Sequence, residues 1–119
     1  SLNIAFHPCE YDNALFCATV VEVIEPNGPS GGDTLPDGAP VIGYEMIRGL
    51  ESKGDGKYRG GKIASLDESI IEGKMLWYGL KVDDRFDGTL EAKGCVGVIC
   101  PRTMIWTQVN RSARDGAGN

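Results

Sequence analysis

The chain has 119 residues, 41% of them hydrophobic and 24% charged, which fits one soluble globular domain. Its net charge of −5 argues against nucleic acid as a partner, because phosphate binding needs a basic surface. No apolar run reaches the roughly 18 residues that a membrane span requires. The 17 glycines are dispersed among β-branched residues, which favours many turns and an all-β chain.

Two strands are predicted at the start of the chain. Alternating apolar residues predict the first over residues 2–7, ended by Pro8, and a long β-branched run predicts the second over residues 15–24. They form a first hairpin. Because the second strand is apolar on both faces, we expect it to be central or strongly curved. Residues 25–39 are rich in Pro, Gly, Asn, Asp and Ser and predict a long loop.

The middle of the chain is less regular. Residues 41–50 fit a helix or a strand, but their glycines weaken a helix by about 1 kcal/mol each, so we predict a short turn leading into a strand. Asp55-Gly56 is a strong signal for a hairpin turn. A strand is predicted over residues 58–65, and Gly60-Gly61 within it predicts a bulge or a bend.

A single helical turn is predicted next, because Ser65-Leu-Asp-Glu68 fits a capping box, with Gly73 as the stop. Strands follow over residues 75–82, 89–99 and 104–109. Residues 83–88 predict an acidic turn, which lacks the ligand spacing of a calcium loop. In the strand over 89–99 the alternation predicts one buried face with four members: Leu90, Ala92, Val96 and Val98.

Together these elements predict one domain over residues 1–109 and a mobile polar tail over 110–119. About seven strands with short connections are typical of an antiparallel meander. Such a meander closes into a β-barrel or forms a strongly curved sheet of seven to eight strands, because closure removes exposed edges.

The four cysteines form two local pairs, Cys9 with Cys17 and Cys95 with Cys100, neither with the Cys-x-x-Cys spacing of a zinc site. An even number of cysteines in a small β domain favours disulfides and an oxidising compartment. Neighbouring pairs would clamp the first and last hairpins, but a pairing such as Cys9 with Cys95 also fits the sequence. His7 completes neither a metal site nor a catalytic pair, so we predict no metal and no catalytic residue.

Aromatic residues fall on several predicted strands, so a closed sheet would gather some of them inside. Their rings would either fill a solid core or line a cavity for one small ligand. For the cavity, we predict four wall residues: Tyr58, Trp77, Tyr78 and Trp106.

Eight motifs, in chain order, carry a resemblance to a known family. They are His7-Pro-Cys9, Leu15-Phe-Cys17, Val41-Ile-Gly43, Arg48-Gly-Leu50, Gly54-Asp-Gly-Lys-Tyr58-Arg-Gly-Gly-Lys-Ile63, Asp87-Gly-Thr-Leu90, Lys93-Gly-Cys95 and Thr103-Met-Ile-Trp106-Thr107. Their order resembles that of the bacterial family called domain of unknown function 2147, over nearly the whole chain. The resemblance implies a secreted or periplasmic protein with a lipocalin-like β-barrel, a pocket for a small apolar molecule and no enzymatic activity.

The sequence departs from the family at two places. The family opens with a Gly-x-Trp strand before the first cysteine, which this sequence lacks, and ends in Trp-Thr-Arg where this chain has Gln108 after Trp106-Thr107. In lipocalins an Arg of that kind packs over the first-strand Trp. Both departures therefore fall at the seam where a barrel would close.

The leading hypothesis is a small secreted or periplasmic binding protein that holds a hydrophobic ligand in a β-barrel and needs no cofactor. The alternative is a structural or protein-interaction module of the cell envelope with a solid core, which a homodimer contact would favour. A third hypothesis, an enzyme, needs a cluster of polar residues that the sequence does not display, so we expect no catalysis.

Overall fold

A computed structural model describes residues 2–24 and 34–108. The tail predicted over 110–119 and most of the loop predicted over 25–39 lie outside the described residues. The elements, in chain order, are β1 Leu2–Cys9, β2 Asp12–Val23, β3 Glu45–Ser52, β4 Lys57–Ala64, α1 Leu66–Glu72, β5 Trp77–Asp84, β6 Thr89–Val96 and β7 Ile99–Thr107.

The seven strands form one antiparallel sheet in which each strand pairs with the next along the chain. The sheet is strongly curled into a half-barrel, so the predicted all-β meander with a curved sheet is confirmed. β2 lies between β1 and β3, as its two apolar faces predict. Register shifts at several points, including one between Asn3 and Ile4, add to the twist that curls the sheet.

A predicted turn and a predicted bulge are confirmed between β3 and β5. Asp55 and Gly56 both have positive φ, 55° and 74°, as a tight hairpin turn of the I′ kind requires. The pairing of β4 with β5 shifts register between Tyr58 and Gly61, which is the predicted bulge. Gly61 also lets β4 approach β3 closely, because a Cβ there would lie 2.7 Å from Leu50 Cδ2.

α1 begins after Ser65 and ends at Gly73, as predicted. The reciprocal capping box does not form, because the Ser65 hydroxyl donates to Glu68 Oε1 at 2.8 Å and caps no backbone N–H. Ser69 is fully buried and links the helix to the chain that follows, since its hydroxyl accepts a hydrogen bond from the Leu76 N–H at 2.9 Å.

Several strand bounds differ from the prediction. β1 continues through Pro8 to Cys9, which an edge strand tolerates because a missing N–H there costs no ladder hydrogen bond. β6 ends at Val96, and Val96 and Val98 are 61% and 95% exposed, not buried as predicted. A turn at residues 97–98 ends the alternation, and β7 then starts at Ile99, five residues earlier than predicted.

Much of the hydrophobic core lies on the concave face of the half-barrel, while Met46 and Ala64, adjacent to Ile47 and Ile63 in β3 and β4, are buried on the other face. Directly paired residues share a face, and the register places Ala18, Ile47, Ile63 and Tyr78 in one row across β2 to β5. The buried apolar residues of the core are Ala18, Val20, Leu35, Val41, Met46, Ile47, Leu50, Ile63, Ala64, Leu66, Leu80, Val82 and Ala92. α1 lies at the end of the sheet where β4 stops and β5 begins.

Candidate functional site

A pocket of about 190 Å³ lies on the concave face, at the end of the half-barrel away from α1. Strands β1 to β6 each contribute at least one side chain, and Gln108 follows directly after β7. The lining residues are Phe6, Phe16, Leu50, Tyr58, Val82, Asp84, Leu90 and Gln108. Six of the eight are apolar or aromatic, as in sites for small molecules, where a few polar groups fix orientation.

The antiparallel register brings these residues together. Phe16 is paired with Leu50, Tyr58 with Val82, and Asp84 with Leu90, so each pair presents both side chains on the same face. In a meander, the end of one strand adjoins the start of the next. Residues far apart in sequence therefore meet at one end of the sheet.

Two aromatic rings form one wall of the pocket. The centroids of Phe16 and Tyr58 are 5.9 Å apart and their planes are at 85°, an edge-to-face arrangement. Aromatic pairs of this kind contribute about 0.5–1.5 kcal/mol beyond the area they bury. The contact spans the width of β3, which lies between the strands that carry the two rings, and so fixes the wall.

The rim of the pocket is polar. Asp84 Oδ1 accepts hydrogen bonds from the Phe86 N–H at 2.8 Å and from Gln108 Nε2 at 3.4 Å. The Asp84 N–H donates to the Gly56 carbonyl, and the Gln108 N–H to the Gly88 carbonyl, each at 2.8 Å. Backbone bonds thus hold both rim residues in place.

Gly56 lets the turn between β3 and β4 pack closely against Phe86 and Asp84 at the rim. Besides its positive φ, a Cβ at this position would lie 2.7 Å from Phe86 Cζ and 2.9 Å from Asp84 Cβ. Any larger residue would have to displace one of these two groups. The hairpin between β3 and β4 therefore supports the carboxylate of the rim.

An ion pair next to the rim lies on the other face of the sheet. Arg59 Nη1 is 2.8 Å from Asp83 Oδ1 and also donates to the Tyr58 and Val82 carbonyls. Within residues 2–24 and 34–108 no hydrogen bond ends on Asp83 Oδ1, so its contact with Arg59 is an ion pair. Asp84 is the charged side chain among the described residues of the lining.

A family model described as an uncharacterized protein conserved in bacteria (DUF2147) matches residues 3–108. The chain belongs to the DUF2147 family. The resemblance drawn from the motifs is thereby confirmed. No curated protein and no solved structure matches the chain in the two other comparisons.

The motif Thr103-Met-Ile-Trp106-Thr107 lies beside the pocket. Trp106 is paired with Leu90, a lining residue, and its ring centroid is 6.4 Å from that of Phe6 on β1. Phe6 on β1 thus packs against Trp106 on β7. β1 and β7 approach there through side chains, and within residues 2–24 and 34–108 neither strand is paired with the other.

The four predicted wall residues are divided between three places. Tyr58 lines the pocket, and Trp106 is adjacent to it. Tyr78 is on the concave face but at the α1 end, where its hydroxyl donates to the Glu68 carboxylate at 3.3 Å. Trp77 is on the opposite face, with the Arg48 guanidinium 4.5 Å from its ring centroid.

Sequence reasoning missed most of the lining, namely Phe6, Phe16, Leu50, Val82, Asp84, Leu90 and Gln108. A usable signal was the meander itself, because the start of an even-numbered strand and the end of an odd-numbered one share an end of the sheet. The bulges that shift the register made the exact partners unreadable.

The cysteines of this DUF2147 chain are all oxidised. Cys9 is bonded to Cys17 and Cys95 to Cys100, which is the local pairing among the alternatives open from the sequence. The first bond links the end of β1 to the interior of β2, and the second clamps the β6–β7 turn. Both are structural cross-links of hairpins.

The remaining polar candidates do not assemble into a reactive centre. His7 is on the outer face, where its Nε2 is 2.7 Å from the Thr19 hydroxyl. Across the described ranges, no three His, Cys, Asp or Glu side chains come together as a metal site would need. Nor does any helix there have the length and apolar character to cross a membrane.

Proposed function

We propose that this DUF2147 protein is a non-catalytic binding protein that holds a small apolar ligand in the pocket at the open end of the half-barrel. The observation that carries the proposal is the lining itself, with six apolar or aromatic residues from six strands and two polar residues at the rim. Among the described residues of that lining, the carboxylate of Asp84 has no His, Lys or second carboxylate beside it. This supports binding over acid–base catalysis.

The volume of the pocket limits the ligand. A closed apolar cavity of about 150 Å³ holds one benzene molecule. The pocket measures about 190 Å³ and is open on one side, so it suits a single ring with a short substituent. A fragment of eight heavy atoms that gains about −0.5 kcal/mol per atom would bind with a Kd on the order of 1 mM.

Native mass spectrometry of the protein in the presence of millimolar benzyl alcohol tests the proposal. We expect an added mass that is lost on denaturation. The variant Leu90→Trp puts a larger side chain into the pocket and should lower the occupancy. The matched control is Ile71→Trp on α1, where the side chain is 81% exposed, and it should retain the ligand.

Two results would overturn the proposal. One is protein at its bare mass together with no saturable binding of single-ring fragments. The other is an added mass whose occupancy is equal in the wild type and in Leu90→Trp, because the ligand would then be elsewhere.

The two disulfides support a periplasmic or secreted location as part of the same proposal, because disulfides persist in oxidising compartments and are rare in the cytosol. Osmotic-shock fractionation of the host, followed by alkylation of free thiols, checks it. Unalkylated, oxidised protein in the periplasmic or culture fraction is the expected result. Reduced protein in the cytosolic fraction would contradict it.

A second candidate function is assembly with another copy of the chain along β7. In the described part of the chain β7 is paired with β6 alone, and Ile99 and Ile105 on this edge are 69% and 50% exposed. Open edges with exposed apolar side chains favour edge-to-edge pairing. Light scattering after size exclusion should show a dimer that Ile105→Lys dissociates and Ile71→Lys does not; a monomer at every concentration would exclude this assembly.

A further inference from the structure

We infer that the ligand of the pocket carries a positive charge, as a protonated amine attached to a single aromatic or similarly compact apolar ring. The inference rests on the proposed function, since it assumes that the pocket binds a small molecule. It is carried by the position of Asp84 in the lining, in which none of the described residues is basic.

Asp84 has acceptor capacity to spare. Its Oδ1 already receives the Phe86 N–H and Gln108 Nε2. No hydrogen bond from residues 2–24 or 34–108 ends on Oδ2. A carboxylate has about four acceptor positions, so Oδ2 can receive an N–H of a bound ammonium group. A bond between two charged groups is stronger than one between neutral groups.

The charges around the pocket favour a cation over an anion. Arg59 is next along the chain to the lining residue Tyr58 but lies on the outer face, bound to Asp83. Its charge is therefore already balanced. A fatty acid or another carboxylate would place a second negative charge near Asp84, which opposes binding.

The aromatic wall supports the same assignment. The faces of aromatic rings carry negative charge density and attract ammonium groups within about 6 Å. Phe16 and Tyr58 meet edge to face, so one of the two rings can present its face to the pocket. The ring pair and the carboxylate thus provide the two features that recognise an aryl-alkyl ammonium ion.

Three single-ring probes of nearly equal size test the inference: benzylammonium, benzyl alcohol and benzoate. Dissociation constants are measured by NMR titration of the Leu and Val methyl groups near pH 7 and at low ionic strength. We expect benzylammonium to bind about tenfold more tightly than benzyl alcohol, because charge-assisted bonds exceed neutral ones. Benzoate should bind more weakly than both, and added salt should reduce the preference.

Two variants locate the effect. Asp84→Asn keeps the shape and the acceptor for the Phe86 N–H but removes the charge, so the preference for benzylammonium should fall to about twofold or less. Asp87→Asn makes the same change of net charge on the neighbouring exposed turn. The tenfold preference should survive in that control.

The possible outcomes separate the two proposals. Saturable binding of benzyl alcohol with no preference for benzylammonium overturns the cationic assignment and leaves the pocket as an apolar site. A preference that persists in Asp84→Asn overturns the role of Asp84. If none of the three probes saturates, the proposed function falls as well.

Discussion

The contact between Phe6 and Trp106 holds the two edge strands of the half-barrel near each other, and a double-mutant cycle can measure it. The ring centroids are 6.4 Å apart at 46°, inside the 4.5–7 Å range over which aromatic pairs couple by about 0.5–1.5 kcal/mol. The separation is near the outer limit and Phe6 is 40% exposed, so we expect the low end, about 0.5 kcal/mol.

The cycle combines Phe6→Leu and Trp106→Leu, with the free energy of unfolding measured by urea and far-UV circular dichroism under non-reducing conditions. Each single change should cost about 1 kcal/mol, and the double change about 0.5 kcal/mol less than their sum. The control cycle pairs Phe6→Leu with Trp77→Leu on the opposite face, and it should be additive. Equal coupling energies in both cycles, or no coupling in the first, would contradict the contact between Phe6 on β1 and Trp106 on β7.

Three further predictions concern stability and titration. Replacing Cys9 and Cys17 by Ser should lower the free energy of unfolding by about 2.5 kcal/mol from loop-closure entropy, measured in urea; a loss below about 0.5 kcal/mol would contradict this. Burial raises the pKa of Tyr44, although Arg48 opposes the shift. The protonated Tyr44 therefore contributes to the stability of the folded state below about pH 10, and this contribution is lost as the pH rises through the pKa of the folded state. Unfolding curves of Tyr44→Phe should therefore decline less steeply above pH 10 than those of the wild type. The Thr89 hydroxyl and N–H donate to Asp87 and lower its pKa. These hydrogen bonds therefore stabilise the folded protein above about pH 3.9, and the stabilisation is lost in more acidic solution as Asp87 is protonated. NMR titration should show the pKa of Asp87 rising in Thr89→Val, and an unchanged value would contradict the assignment.

Local signals in the sequence determined much of the fold. Asp55-Gly56 and Gly60-Gly61 predict the turn and the bulge, because positive φ and irregular pairing are conformations that glycine adopts readily. Gly73 predicts the end of α1 for the same reason. In these segments the local preference and the fold agree.

Strand ends were less predictable. Pro8 stands inside a strand because β1 is at an edge of the sheet, and whether a strand is at an edge is a property of the whole sheet. Val96 and Val98 continue the apolar alternation but lie at a turn. Their exposure follows from the position of the turn, which the hydrophobic pattern does not encode.

The pocket was the least predictable feature, because it depends on register. Trp77 and Tyr78 are adjacent in β5 and therefore must point to opposite faces, so they could not both line one interior. Alternation alone does not say which of the two faces is concave. Asp84 and Gln108 become neighbours only when β5, β6 and β7 are correctly aligned.

Methyl NMR of the protein titrated with benzyl alcohol tests the central claim most directly. The binding proposal predicts saturable shifts that are largest for the methyl groups of Leu50, Val82 and Leu90, with Val41 and Leu66 of the core little changed. Shifts that fail to saturate, or that centre on Val41 and Leu66, would contradict a binding site at the open end of the half-barrel.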